Sequence, residues 1–439
     1  MYVCGPTVYD VPHLGHGRFS LVFDVIRRYL GFRGLQVHYV SNITDVDDKI
    51  LDRARRDGRS PRAVAEQYEA IWWQTIDELG VLRPDEAPHA TDWVPAMVEL
   101  IAELVARGVA YETDDGVYLD VERVPGYGLL ALQPLESLRA GARVEADQAK
   151  RSPLDFALWK KTGADELCWP SPWGVGRPGW HTECVVMSLG ILGDGFDLHG
   201  GGQDLRFPHH ENERAQAVAV GRAFARHWAH NGFVEVDGQK MSKSLGNFTS
   251  LTDLLQRADG RAYRLLVLRS HYRRPIEVSP GTVADAQEAL ARLDALARRL
   301  PAAVDRGSGA ATDDALVAAG ADPEDVAAFC AAMDDDLDTP AAVAGLFELV
   351  RRANAAADAD DRADAERRAV AVGGLAGALG LTVRAAVDQV DDEVRALVAE
   401  RDQARAARDW PRADAVRARL VGLGWVVEDG PEGTRVRRR

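Results

Sequence analysis

From Gly15 onward apolar residues recur every three or four positions: Phe19, Val22, Phe23, Ile26 and Leu30 share one face, and Gly31 and Gly34 close the run. That period predicts an amphipathic helix. Ahead of it, Met1 to Cys4 reads as a short buried strand, followed by a loop through Gly5, Pro6 and Pro12. Strand, glycine-bearing loop and helix make the opening unit of a nucleotide-binding α/β fold. Val37 to Val40 supplies the next strand. Helical patterns then cover about Pro61 to Leu79 and Thr91 to Arg107, and Val109 to Val121 alternates like a hairpin around Asp114-Asp115-Gly116.

The α/β alternation resumes with a helix containing Glu183 to Leu189 and a strand from Phe196 to His199, so residues 108–165 read as an insertion into a parallel sheet. Leu251 to Arg269 is helical. Beyond Gly281 the chain is Ala-rich with a 3.6-residue period to about residue 422, broken at Arg306 to Thr312 and Ala356 to Asp361. Trp425 to Val427 and Thr434 to Arg437 read as a terminal hairpin. The expected plan is a doubly wound α/β domain (1–107 and 166–235) with its insertion, a connecting region (236–285), a helical bundle (286–384) and a C-terminal unit (385–439).

Composition changes this picture in three places. No apolar run approaches a membrane span and the start lacks a secretory pattern, so a soluble, cytoplasmic protein is expected, with no membrane partner. Four cysteines are too few for a disulfide framework in 439 residues and point to free, metal-bound or catalytic thiols. The net charge of −15 is local: residues 301–400 carry 8 Arg against 21 Asp plus Glu, whereas 401–439 carry 10 Arg against 6. The basic end Arg435-Val436-Arg437-Arg438-Arg439 and the cluster Arg261, Arg264, Arg269, Arg273 and Arg274 are two places for phosphates to dock, or else solvated helix faces and a frayed terminus.

The chemistry concentrates in short strings. A helix starting at Gly15 turns backbone N–H groups toward whatever lies above the preceding loop, which favours polyphosphate. His13 and His16 flank that start. Of 53 basic residues only six are lysine, yet Lys240 and Lys243 stand three apart. Chance would put lysine at both only about one time in a hundred, so the position wants a compact ammonium. Histidines, lysines and Mg²⁺ on ATP would align and neutralise a phosphate under attack. Asn247 and nearby glycines would let the lysine loop move, and a Gly200-Gly201-Gly202 turn would admit adenosine. Cys4, Cys184, His209 and Glu213 are a candidate metal set with His209 and Glu213 at i and i+4, although His181, His199 and His210 are equally eligible by type, and buried structural cysteines remain an alternative.

His13-Leu14-Gly15-His16 and Lys240-Met241-Ser242-Lys243-Ser244 resemble the two nucleotide signatures of class I aminoacyl-tRNA synthetases. The opening Met-Tyr-Val-Cys-Gly-Pro-Thr-Val-Tyr-Asp, Asn42 to Lys49, Trp169 to Gly174, Gly179 to Cys184, Phe207 to Glu213 and the late Asp-Gly-Pro-Glu-Gly-Thr together resemble cysteinyl-tRNA synthetases over essentially the whole chain. The resemblance implies one zinc per chain on Cys4, Cys184, His209 and Glu213, and an amino-acid pocket of Gly5, Thr44, Trp180, His199 and Asp204, with Asp204 on the substrate ammonium. It implies ATP contacts from His13, Gly15, His16, Gly201, Lys240 and Lys243. It also implies L-cysteine, ATP and tRNA(Cys) as partners of a monomer, with 236–285 against the tRNA stem and 385–439 on the anticodon.

Leu14 stands where isoleucine is common. Family members also carry a segment ahead of the first zinc cysteine, so a weakened sheet edge is expected here. Two alternatives remain at this stage. One is the related ligase joining cysteine to glucosaminyl-inositol in mycothiol synthesis, a family without the C-terminal tRNA module. The other is a non-catalytic paralogue binding tRNA or cysteine, whose sign would be loss of Lys240, Lys243 or a zinc ligand, and none is lost.

Overall fold

The computed structural model describes residues 1–131, 150–163, 167–236, 239–240, 250–385, 392–430 and 433–438. The chain forms two compact units, one of residues 1–251 with 267–279, the other of 252–266 with 280–439.

The first unit is built on β1 (Tyr2–Val3), α1 (Leu14–Phe32), β2 (Val40–Ser41), α2 (Asp48–Asp57), α3 (Pro61–Glu78) and α4 (Val94–Ala106). An antiparallel module follows with β3 (Ala110–Glu112), β4 (Gly116–Leu119), β5 (Phe156–Lys161) and β6 (Gly176–Pro178). The chain returns through α5 (Trp180–Leu192), β7 (Leu198–Gly202), α6 (Glu211–Ala219) and β8 (His227–Asn231) to the small sheet β9 (Val234–Val236), β10 (Gln239–Lys240) and β11 (Ile276–Glu277).

The main sheet is parallel with order β2-β1-β7-β8. The chain leaves β1 to one side for β2 and later to the other for β7, so the topological switch point lies between β1 and β7, where open α/β sheets hold ligands beyond the strand ends. Here β1 is interior, with Tyr2 in register with both Val40 and His199. The expectation of a weakened edge is therefore corrected: the sheet edges are β2 and β8.

Helix α1 packs on β7 through Phe23, which is fully buried. A Cβ at Gly200 would sit 2.2 Å from the Phe23 ring, so the glycine lets helix and strand close up. Burying the ring contributes roughly 2–3 kcal/mol. Gly200 to Gly202 thus belong to strand β7 and not to a turn, a second correction. The antiparallel sheet takes the order β3-β4-β5-β6, and β6 lies past residue 165, where the sequence reading ended the insertion. Its core joins Ile101 and Leu104 of α4 to Val117, Leu119, Leu158 and Trp159.

The second unit begins with α7 (Leu251–Arg257) and α8 (Gly260–Leu268), two helices where one was expected. Then come α9 (Pro280–Arg299), α10 (Pro301–Ser308), α11 (Asp313–Ala318), α12 (Pro323–Asp334), α13 (Thr339–Asp358) and α14 (Arg362–Ala378). Leucines at 290, 293 and 296 bury one face of α9. The unit ends with α15 (Asp392–Ala406), α16 (Trp410–Gly422) and the hairpin β12 (Trp425–Gly430) and β13 (Gly433–Arg438), cored by Val394, Leu397, Val416, Leu420, Trp425 and Val427. Among the described residues no helix is long and apolar enough to cross a membrane.

Candidate functional site

Beyond the carboxyl ends of β1 and β7 lies a cleft of about 330 Å³ lined by Cys4, Gly5, Tyr9, His13, Gly15, His16, Lys49, Trp180, Gly202, Asp204 and several others. The N-terminus of α1 opens onto it. His13 is the N-cap of α1, and its Nδ1 accepts from the His16 backbone N–H at 3.2 Å, while His16 Nδ1 accepts from the His13 backbone N–H at 3.3 Å. The rings stack with centroids 3.7 Å apart. Two helix-start donors expected to face a ligand are therefore taken by the histidines. Because each Nδ1 accepts, each neutral ring carries its proton on Nε2 and is a donor there.

Gly5 donates its N–H to Asn42 Oδ1 at 2.9 Å, and a Cβ at Gly5 would fall 1.6 Å from Asn42 O, so no side chain fits. Trp180 and Asp204 line the cleft as expected, and Asp204 has no cationic partner among the described residues. Thr44, His199 and Gly201 do not line it. Thr44 is buried and donates to Glu183 Oε2 at 2.8 Å. Burial pushes the Glu183 carboxyl well above the carboxylate range. His199 sits inside β7, and a Cβ at Gly201 would meet the His210 ring.

Cys4 lines the cleft, and with Cys184, His209 and Glu213 behind it, all buried, it forms a set whose ligand atoms lie within 4.8 Å of one another. The thiols are 3.6 Å apart, Cys4 Sγ is 3.3 Å from Glu213 Oε1, and His209 Nε2 is 2.7 Å from that same oxygen. Yet His209 Nε2 has no aligned hydrogen-bond partner among the described residues. Two sulfurs, one imidazole and one carboxylate converging at such distances suit a tetrahedral zinc.

The ionisation of these groups is set by burial and by their neighbours in the set. Burial raises the Cys4 thiol, and Cys184 beside it raises it further. Burial opposes ionisation of Cys184 as well, but Cys4 and His209 outweigh it and bring that thiol down to about 7. Burial disfavours the His209 cation, yet Glu213 and Cys184 raise this imidazole to about 10.

Of the other eligible histidines, His181 belongs to neither metal-competent group. Burial holds it well below its usual range, and its Nδ1 lies 2.9 Å from His209 Nδ1, which fixes the ring behind the ligand atom. Trp180 stacks on the same ring at 4.1 Å. His199 and His210 form a second group with Cys4 and Glu213. The backbone around His209 is irregular, with Phe207 extended at φ −140°, before α6 carries Glu213.

One residue that pattern reading missed is Arg18, fully buried on α1. Its guanidinium donates to the carbonyls of Phe233 at 2.5 Å, Tyr272 at 3.2 Å and Arg274. These flank β9 and β11, and β9 pairs Glu235 with Lys240 of β10. No periodicity marks an arginine that bonds carbonyls more than two hundred residues away. Lys243 and Asn247 lie outside the described residues, as does Arg439.

Two members of the internal arginine cluster are engaged within the fold. Arg261 is clasped by Asp259 and Asp294, and Arg264 is buried with its guanidinium toward the Leu379 carbonyl.

Residues 1–288 match the family model described as tRNA synthetases class I (C) catalytic domain. Residues 328–384 match the DALR domain and 387–437 the cysteinyl-tRNA ligase anticodon binding domain. The chain is 47% identical to a cysteine–tRNA ligase of Alkalilimnicola ehrlichii over all of this chain and 95% of that protein. It is 44% identical to one of Klebsiella pneumoniae at the same coverage. Its fold is similar to Mycobacterium tuberculosis methionyl-tRNA synthetase in complex with methionyl-adenylate, with a TM-score of 0.62 and 17% identity over 86% of this chain and 89% of that one. The 387–437 match covers the module that the small-molecule ligase family lacks.

Proposed function

The chain belongs to the class I cysteine–tRNA ligases, and from that membership we propose how its residues divide the work. The enzyme joins L-cysteine to tRNA(Cys) at the expense of ATP. In the first step the cysteine carboxylate attacks the α-phosphate, breaking its bond to the leaving pyrophosphate; in the second, a ribose hydroxyl of the tRNA end attacks the adenylate carbonyl and releases AMP. The observation that carries this reading is the shared cleft: the thiol of Cys4 and the imidazoles of His13 and His16 line one cavity at the switch point of the sheet.

Neither step needs a protein nucleophile; alignment and charge stabilisation suffice. His13 and His16, with Nδ1 engaged in capping, donate from Nε2 to phosphate oxygens. Lys240 and Lys243 neutralise the departing pyrophosphate, with Mg²⁺ accompanying ATP. Asp204 accepts the cysteine ammonium, and Gly5 lets the substrate approach the β1 backbone. Trp180, against His209, shields the thiol end from water.

Cys4, Cys184, His209 and Glu213 would hold zinc. When bound, the ion supplies a soft Lewis acid that takes a thiolate far better than a serine hydroxyl, which gives selectivity for cysteine. Thr44 and His199, set back from the cavity, act on the pocket through Glu183 and Glu213.

The test is cysteine-dependent ATP–pyrophosphate exchange on metal-analysed protein, with charging of total tRNA in the same tubes and glucosaminyl-inositol as control. Exchange with charging at about one zinc per chain is expected. Exchange that yields only the small-molecule conjugate overturns the tRNA reading.

A further inference from the structure

Lys49 is the second residue of α2, where the positive end of the helix dipole disfavours a cation. It is also one of six lysines among 53 basic residues. Its neighbours in sequence do not neutralise it. Asp47 Oδ1 caps the helix, accepting the Lys49 backbone N–H at 2.8 Å, and Asp48 is engaged by Lys160 at 2.7 Å and by Arg177. The ammonium lies 5.4 Å from the centroid of the Tyr9 ring, and no carboxylate among the described residues pairs with it. Arg53, one turn along α2, bonds Asp10 at 3.3 Å, which ties the helix to the loop that carries Tyr9. Lys49 and Tyr9 line the same cleft as His13, Gly15 and His16.

A cation held against an aromatic face, at a helix position that opposes it, with the adjacent carboxylates turned elsewhere, is arranged for an anion that arrives with the ligand. We propose that Lys49 is a further phosphate-contacting residue of this cleft, meeting an oxygen of the ATP triphosphate during cysteine activation. The proposal rests on reading the cleft as the ATP site. The helix that starts at His13 opens on the same cavity, which favours the triphosphate over the other phosphate source at hand, the terminal phosphodiester of tRNA.

The experiment compares the full-length chain with Lys49→Met and Lys49→Arg. Exchange is measured with ATP varied and then with cysteine varied, and transfer from preformed cysteinyl-adenylate to tRNA is followed in a single turnover. Expected is a loss of about ten- to a hundredfold in kcat/KM for ATP in Lys49→Met, as for a lost charge-assisted hydrogen bond. The KM for cysteine and the transfer rate stay unchanged, and Lys49→Arg recovers part of the loss. Thermal melting of both variants at the wild-type temperature sets folding defects aside. Unaltered exchange in Lys49→Met overturns the proposal alone, and so does slowed transfer with intact exchange, which would put the cation at the tRNA end. A wild-type chain without cysteine-dependent exchange would sink the ATP reading and the proposal with it.

Discussion

Two clusters of ionisable side chains, one partly and one fully buried, differ in how their polar atoms are satisfied. In the second unit Arg261 spends its guanidinium on Asp259, Asp294 and the Thr382 carbonyl, while the Arg384 backbone N–H donates to Asp294 at 2.8 Å. In the first unit Glu213 lies 2.5 Å from His199 and 2.7 Å from His209, yet His209 Nε2 has no aligned partner among the described residues. A closed set of hydrogen bonds holds elements together. A set in which two thiols, an imidazole and a carboxylate crowd one point, with His209 Nε2 left without an aligned partner, is shaped for something placed at that point.

The largest effect should come from opening the convergent cluster. Glu213→Gln keeps the shape and removes the charge; zinc measured by elemental analysis should fall from about one per chain to under about a tenth, and cysteine-dependent exchange on the order of a thousandfold. Full metal content in that variant would undo the contrast between the clusters. Next in size is the closed cluster. Arg261→Ala takes the main cation from two largely buried carboxylates that Arg384 serves only in part, and should destabilise the second unit by about 1–3 kcal/mol in denaturant melts, with metal content unchanged.

A smaller effect separates capping from phosphate contact. His13→Asn retains a side chain that caps helices well, so stability should move by less than about 0.5 kcal/mol, whereas exchange should drop about a hundredfold. Equal losses in stability and exchange would reduce His13 to a cap. The smallest effect is in pH. Burial raises Asp259, but Arg261 and Arg384 more than offset it and hold the carboxyl below its ordinary 3.8. A lowered folded value gives stability that is complete above about pH 3.8 and is lost as pH falls through that lower value. Acid titration of the second unit should show this decline, and Asp259→Asn should flatten it.

What the sequence made legible were elements long enough to repeat a period. The faces of α1, α3 and α9 and the hairpins at 110–119 and 425–438 follow from spacing alone. The His209 to Glu213 spacing pointed to a shared face, and the ligand atoms meet although the backbone before α6 is irregular at Phe207. Strands of two residues, β1 and β2, carry no period, and the interior position of β1 depends on partners nearly forty and two hundred residues away. Three consecutive glycines read as a turn, but the Phe23 ring fills the space that a side chain at Gly200 would need. Arg261 and Arg264 looked basic and available because the acids and carbonyls that engage them are distant in sequence. Thr44 and His199 match pocket positions by resemblance, while burial places them one layer behind the cavity.

Arg18 gives helix α1 a mechanical meaning beyond its packing. His13 and His16 stand at one end of that rod, and about 3 to 8 Å further along, at 1.5 Å per residue, one cation ties down carbonyls that precede β9 and β11. The strand leading into the lysine signature is thus riveted to the helix that presents the histidines. A displacement of α1 would therefore be felt through Arg18 at the loops that open β9 and β11, and a shift of those loops would be felt in turn at the histidine end of the helix.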